Sequence, residues 1–462
     1  MGHRIDPRIL RHYDIRGRVG DGLDRADAYA IGRGFATLLR RAGGRRVAVG
    51  YDGRLSSPAL EAALVEGLCA SGADVVRIGL GPSPMLYYAE AELGVDAGIQ
   101  VTGSHNPADE NGFKLVRGHR AFFGDAIRAC AALAAEGDWE TGRGAVETVD
   151  VRDAYVTRLL RDHRGHDGRI GWDAGSGAVG AVLGRLTARL PGTHHLLHDQ
   201  VDGRFPYHHP DPTVEANLAD LRALVARERL DCGFAFDGDG DRIGAIDGAG
   251  RILWGDQILL LLAGPVLRDH PGAPIIADVK ASQTLFDGIA ARGGRPILWK
   301  TGHALIKTRM AELGAPLAGE MSGHIFFADR WYGFDDALYA ALRLLALIAE
   351  SGRSLAELHA ALPAPVNTPE LRIPVPEADK QAIVKAVIDR LLAAGARVDR
   401  TDGARVATER GWYLLRASNT QAMLTLRAEA EDAAALSALL DTLAAELAAA
   451  GLAPDWRAAL PG

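Results

Sequence analysis

Short apolar runs alternate with stretches of helical spacing along most of the chain, and the first such set predicts a βαβ unit. Residues 45–50 (RRVAVG) read as a strand, residues 57–71 repeat apolar side chains at helical intervals behind Ser57-Pro58, and residues 73–78 (ADVVRI) read as a second strand. A fourth run, 97–101 (AGIQV), adds another strand. A second unit starts near Val151, with strands predicted at 169–174, 232–236 and 243–246. The third opens with a helix at 254–267 and continues with strands at 275–280, 296–299 and 318–319. Residues 362–376 (LPAPVNTPELRIPVP) are rich in proline and predict a linker. Beyond it come a helix at 380–394, strands at 412–415 and 422–427, and a last Ala- and Leu-rich helix at 432–450.

Several of these strands run into polar loops, and ligands bind at the carboxyl edge of open α/β sheets. After 97–101 come Thr102-Gly103-Ser104-His105-Asn106-Pro107 and then Asn111-Gly112-Phe113-Lys114, which places Ser104 and His105 in such a loop. After 232–236 come Asp237-Gly238-Asp239-Gly240-Asp241-Arg242. Three carboxylates alternating with two glycines suit a hard cation better than a core. The EF-hand calcium loop needs Gly at its sixth position and Glu at its twelfth. Here those positions hold Arg242 and Gly248, so that pattern fails. A plain hairpin needs one Asp-Gly pair, not two followed by a third Asp. Aligned carboxylates repel, and a bound divalent ion, magnesium first among the candidates, removes that cost.

Three more polar loops follow the same logic. They are Lys300-Thr301-Gly302-His303, Glu320-Met321-Ser322-Gly323-His324, and Arg416-Ala417-Ser418-Asn419-Thr420. The last gathers hydroxyls, an amide and a guanidinium, an anion cradle by inventory. One decoy sits in the second unit. The run from Gly175 to Gly180 matches G-x-G-x-x-G between strand and helix, with Asp199 about 20 residues on, as a nicotinamide dinucleotide site requires. Close packing at a strand-to-helix turn demands the same small residues. The nearby His194, His195 and His198 lack a zinc-protease pattern and read as surface or loop residues, as do His208 and His209.

Composition narrows the field. A chain of 462 residues has room for about three or four domains. Its net charge of -7 disfavours nucleic acid as a partner. Three widely spaced cysteines predict reduced core thiols rather than a disulfide framework, and the Arg- and Asp-studded N-terminal stretch lacks the apolar segment of a signal peptide. The longest apolar run, 258–267, is broken by Gly264-Pro265 and falls far short of the ~20 residues that span a bilayer. A soluble cytoplasmic protein without membrane or nucleic-acid partners is expected. Only six lysines occur, and Lys114, Lys280, Lys300 and Lys307 fall within or beside the loops described, where a compact ammonium has a use. No G-x-S-x-G elbow surrounds Ser104 or Ser322, and no Walker A loop exists. A serine beside a magnesium site is a natural phosphoryl carrier, because the metal neutralises phosphate oxygens during in-line transfer.

TGSHNP with NGFK, then FDGDGDR, KTGH, GEMSGH and RASNT, in this order, resemble the α-D-phosphohexomutases, with bacterial phosphomannomutase/phosphoglucomutase the most similar subgroup. The resemblance runs from Tyr13-Asp14-Ile15-Arg16-Gly17 to Arg427. It implies three related α/β domains with mixed sheets and a smaller α+β C-terminal domain around a central cleft. The expected bounds are 1–149 with the phosphoserine loop, 150–251 with the metal loop, 252–363 with a sugar-recognition loop, and 364–462 with a phosphate-binding loop. It also implies an isomerase that interconverts hexose 1- and 6-phosphates of mannose or glucose through a hexose 1,6-bisphosphate, as a monomer or weak oligomer.

Carried over residue by residue, the resemblance makes Ser104 the phosphorylated serine, with Asp237, Asp239 and Asp241 holding Mg2+ together with it. Arg16, Lys114 and His324 would share phosphate stabilisation and acid/base duty. Tyr13, His105, Arg242, Lys280, His303, Glu320 and Ser322 would line the substrate cleft, and Arg416, Ser418, Asn419 and Thr420 would grip the distal phosphate. RASNTQ is followed by Ala422 where the family usually carries Pro. Met321 and the RASNT loop favour hexose mutases over phosphoglucosamine mutases, the near alternative; the nicotinamide enzyme is the distant one.

Overall fold

The computed structural model describes residues 2–419 and 422–452. Thr420 therefore lies outside the described residues. The first sheet has eight strands, the second and third have five each, and a six-stranded sheet follows near the C-terminus.

The first three sheets share one plan. In the second, Arg169–Asp173 lies between two parallel neighbours, Thr193–Leu197 and Cys232–Phe236, and Cys232–Phe236 then pairs antiparallel with Ile243–Asp247. In the third, Pro274–Asp278 lies parallel to Arg295–Trp299 and Leu317–Gly319, and the latter pairs antiparallel with Ile325–Phe327. The same arrangement recurs in the first sheet, with Arg46–Tyr51 between Asp74–Leu80 and Ala97–Val101, and Glu110–Arg117 antiparallel to Ala97–Val101. Strands such as Ala97–Val101 and Cys232–Phe236 are buried at every position, which is why they read as unbroken apolar runs.

The consequence for function is topological. In each sheet the strand that precedes the antiparallel turn ends in a polar loop, and these are the loops that carry Ser104, the three aspartates and Glu320. The first strand of each plan ends on, or just before, a buried aspartate: Asp52, Asp173 and Asp278.

One continuous apolar core runs from a face of the first sheet through the second and third, from Ala48 and Met85 to Trp172, Ile258 and Leu344. The C-terminal sheet instead covers its own core, built from Leu371, Val387, Tyr413, Leu426 and Leu443 among others. The proline-rich stretch is no free linker. Val366–Asn367 and Leu371–Pro374 both pair with Met423–Ala430, an edge position where proline costs no ladder hydrogen bond.

Candidate active site

Ser104 sits at the first of these loops with φ 50, the left-handed region that non-glycine residues rarely adopt. Its amide donates to Thr102 Oγ1 at 2.8 Å, and Thr102 Oγ1 in turn donates to Asp52 Oδ2 at 2.8 Å. Arg54, fully buried, threads the loop: its Nη2 donates to the carbonyls of Ser104 at 2.7 Å and Asn106 at 2.6 Å, and Nη1 to that of Glu110 at 2.9 Å. Asp52 balances its charge, with 3.2 Å between Arg54 Nε and Asp52 Oδ2. A side chain at Gly103 would strike the Arg54 guanidinium, so the glycine is required for this close approach.

The Ser104 hydroxyl donates to Asp237 Oδ2 at 2.9 Å, which joins the first sheet to the acidic loop of the second. A Cβ at Gly238 would lie 2.3 Å from the Ser104 carbonyl oxygen, so that glycine lets the two loops touch. Asp237 Oδ1 accepts from the amides of Asp241 and Arg242, each at 3.1 Å. Asp239 Oδ2 accepts from Lys114 Nζ at 2.6 Å and from the Ser83 hydroxyl, and Lys114 Nζ also pairs with Asp241 Oδ2. All three aspartates are fully buried; among the described residues, Asp239 Oδ1 has no hydrogen-bond partner and Asp241 Oδ1 faces only the His324 ring, at 3.2 Å from Nε2. Buried carboxylate oxygens left with free lone pairs, beside the Ser104 hydroxyl, fit a hard divalent cation.

The charges in this cluster act on one another at close range. Burial first, then the charges of Asp241 and Asp239, push Asp237 well above the carboxylate range. Burial opposes ionisation of its neighbours too, but Lys114 holds Asp239 below its ordinary value and Asp241 far below. Burial works against the Lys114 ammonium, which the two aspartates nonetheless hold well above the usual lysine value.

The remaining residues approach from three sides. Arg16 donates through Nε to Asp14 and through Nη1 to Asn106, both at 2.8 Å, beside the serine loop. Arg242 forms an antiparallel bridge to His324, which ties the acidic loop to the third sheet. His324 Nδ1 lies 2.9 Å from Ser322 Oγ and 3.0 Å from Glu320 Oε2, while Nε2 is 3.2 Å from Asp241 Oδ1. Burial disfavours its charge, but Asp241 and Glu320 raise His324 to about 9. His105 and His303 are held well below the ordinary value by burial, next to Arg242 for His105 and Lys307 for His303. His303 stacks with His324 at 6.0 Å and meets the Tyr13 ring edge-on at 6.1 Å.

The C-terminal region closes over this cluster. Asn419 Nδ2 donates to the Tyr13 hydroxyl at 2.6 Å, and Tyr13 donates to the Thr301 carbonyl at 2.7 Å. Asp402 Oδ2 accepts from the Thr301 amide and from Arg416 Nε, both at 3.0 Å. Lys280 Nζ lies 3.1 Å from Glu370 Oε2. The Ser418 amide donates to the Met423 carbonyl at 2.9 Å, and its own carbonyl accepts from Lys380 at 2.7 Å. Ser104, Lys114, the three aspartates and His324 meet in one cluster, Arg16 lies beside the serine loop, and His303 and Tyr13 join the cluster through ring contacts. Sequence reasoning missed Asp52, Arg54, Ser83, Glu370 and Asp402, which act through loops distant in sequence; Asp52-Gly53-Arg54 after a strand was the one visible signal.

The dinucleotide alternative lacks its anion cradle. The amide of Gly175 donates to Asp173, that of Ser176 to His198, that of Gly177 to Ala174, and that of Ala178 to Gly238. A Cβ at Gly177 would press on the Gly238 backbone, so these glycines serve close packing against the acidic loop.

Three like sheets and a closing fourth body that bring a serine, an acidic cation loop and several cationic side chains to one centre define a phosphohexomutase, an enzyme of the isomerase class. The chain belongs to the phosphoglucomutase/phosphomannomutase family: its alpha/beta/alpha domains I, II and III match residues 7–136, 153–250 and 254–366, and its C-terminal domain matches 370–446. It is 43% identical over 424 residues to a phosphomannomutase/phosphoglucomutase of Pseudomonas aeruginosa, covering 92% of each chain. A phosphoglucomutase of Neisseria gonorrhoeae is 40% identical over 93% of this chain and 94% of its own. A crystal structure of a phosphoglucomutase/phosphomannomutase family protein from Burkholderia thailandensis superposes with a TM-score of 0.92 at 42% identity, covering 98% of this chain and 99% of that one. No helix among the described residues is long and apolar enough to cross a membrane.

Proposed function

We propose that this chain interconverts hexose 1-phosphates and hexose 6-phosphates of mannose and glucose, through phosphoserine at Ser104 and a hexose 1,6-bisphosphate intermediate. The observation that carries this is the 2.9 Å hydrogen bond from the buried Ser104 Oγ to Asp237, which seats the serine on the acidic loop. The names of the relatives support the choice of sugars. The division into 1–149, 150–251, 252–363 and 364–462, and action as a monomer or weak oligomer in the cytoplasm, belong to the same proposal.

In the first half-reaction a sugar hydroxyl oxygen forms a bond to phosphorus as the bond from phosphorus to Ser104 Oγ breaks, and the sugar proton leaves to a base. In the second, Ser104 Oγ bonds to the other phosphorus as that phosphorus–sugar oxygen bond breaks, and the sugar oxygen takes the proton back. Mg2+ held by Asp237, Asp239, Asp241 and an oxygen on Ser104 would supply charge neutralisation. Lys114, Arg16 and Arg242 stabilise the transferring group, because preorganised charges in a dry site need no reorganisation during the step. His324, oriented by Glu320, Ser322 and Asp241, is placed to exchange the proton. Tyr13, His105, Lys280, His303, Glu320 and Ser322 line the sugar site, and Arg416, Ser418, Asn419 and Thr420 hold the phosphate that does not transfer. Charge-assisted bonds of about 1.5 to 3 kcal/mol each anchor it in both sugar orientations.

Intact mass of the purified protein before and after glucose 6-phosphate tests this. One phosphate on the peptide containing Ser104, removed by substrate, is expected, and Ser104→Ala should lose at least about 10⁴-fold in kcat. Retained turnover by Ser104→Ala with catalytic hexose 1,6-bisphosphate would sink it.

A further inference from the structure

The three buried aspartates at equivalent strand ends have different partners. All three accept from loop groups, Asp52 from Thr102 Oγ1 and the Gly103 amide, Asp278 from the Met321 amide and Thr301 Oγ1, and Asp173 from the Gly175 amide, but Asp52 and Asp278 face a fixed cation, Arg54 and Lys280. Asp173 instead faces two imidazoles. Its Oδ1 is 3.0 Å from His198 Nδ1, and its Oδ2 is 3.1 Å from His208 Nε2. Ligand atoms of all three residues lie within 4.8 Å of one another. Asp173 is fully buried, and the His198 and His208 side chains are only 10% and 12% exposed.

The far nitrogens of the two rings complete the pattern. His208 Nδ1 lies 3.0 Å from the His209 carbonyl oxygen, and His198 Nε2 lies 3.5 Å from Asp220 Oδ2. Metal-ligating histidines almost always give their second N–H to a carbonyl or carboxylate in this way, which fixes the tautomer and the ring. Tetrahedral bonds of ~2.0 to 2.2 Å put neighbouring ligand atoms about 3.3 Å apart, within a few tenths of the two carboxylate-to-imidazole distances here. Two nitrogens and one carboxylate suit Zn2+, whereas the all-oxygen acidic loop suits Mg2+.

We propose that Asp173, His198 and His208 form a structural Zn2+ site, with the fourth position taken by water. Metal binding would replace the protons that now bridge the rings and the carboxylate. The site lies behind the acidic loop. Gly175 packs on Pro210 and His208, Pro210 packs on Gly238, and the Ala178 amide donates to the Gly238 carbonyl at 2.9 Å. An ion there braces the loop without touching a reacting group.

The test is Zn2+ competition against a chromophoric chelator, on chelator-stripped full-length protein in excess Mg2+ so that the acidic loop is filled. One tight equivalent per chain is expected. His198→Gln, which keeps an amide donor toward Asp173, and His208→Gln should each weaken it by more than about tenfold, while Asp237→Asn leaves it unchanged. Co2+ in place of Zn2+ should give the visible absorption of a four-coordinate site in the native protein and lose it in His198→Gln. The proposal is overturned if Zn2+ uptake falls with Asp237→Asn but with neither histidine variant. It is equally overturned if stripped protein in excess Mg2+ takes up no Zn2+, in which case the three residues are an ion-paired latch only.

Discussion

The first three bodies and the C-terminal body are built to different standards of permanence. The three share one apolar core and are stitched by buried polar contacts: Ser104 to Asp237, Ser83 to Asp239, and Tyr155 to Asp336 at 2.8 Å. The fourth covers a core of its own and meets the others through a small apolar cluster of Val279, Trp412 and Leu414 and through polar side chains: Arg405 on the Val279 and Ala281 carbonyls, Arg427 with Asp256, Asn419 with Tyr13, and Lys280 with Glu370. A phosphoryl group in flight needs fixed charges, while a substrate that must enter, turn and leave needs one wall that yields. The same distinction separates global stability from local opening.

Substitutions can break this contrast or sharpen it. The largest effect is expected from Arg54→Met, which leaves Asp52 as an uncompensated buried charge and four loop carbonyls without their donor. A loss of about 3 to 5 kcal/mol in denaturant unfolding is expected. A loss under 1 kcal/mol would mean the serine loop is no more fixed than the C-terminal wall.

Next comes Asp336, which caps the helix Ala337–Ser351 and accepts from Tyr155. Burial raises its pKa to about 7. Its value in the unfolded chain is about 3.9, so the folded state holds the proton more tightly. The stabilisation is full below about pH 4 and is lost as pH rises through about 7, by up to ~4 kcal/mol. Asp336→Asn should flatten that slope in thermal unfolding measured from pH 4 to 8, and an unchanged slope would assign it elsewhere.

The smallest effect belongs to the C-terminal seam. Tyr13→Phe keeps the ring against His303 but removes the hydroxyl that links Asn419 to Thr301. One neutral hydrogen bond is worth about 0.5 to 1.5 kcal/mol, so KM for hexose phosphate should rise by no more than about tenfold with unfolding free energy nearly unchanged. Cooperative destabilisation of the whole chain would show that the fourth body is as firmly joined as the other three.

Legibility in the sequence followed the same divide. The strands Ala97–Val101 and Cys232–Phe236 have the bounds that their apolar runs predict, and the loops after them meet where Ser104 donates to Asp237. Chemistry concentrated in a short motif is visible because the chain must spend consecutive polar residues on it. Ser83 and Asp402 escaped because each is a single polar residue whose partner lies far away in sequence. The proline-rich stretch does hold the break between the third and C-terminal family domains, and the strands within it went unread because edge strands tolerate the residues that mark linkers. His198 and His208 looked like surface residues because only the fold brings both to Asp173.

The left-handed backbone at Ser104 decides more than the direction of a hydroxyl. Threonine carries the same reactive oxygen, but its branched Cβ makes φ 50 a true outlier. The choice between the two alcohols at this position is therefore made by the main chain, before any phosphorus arrives.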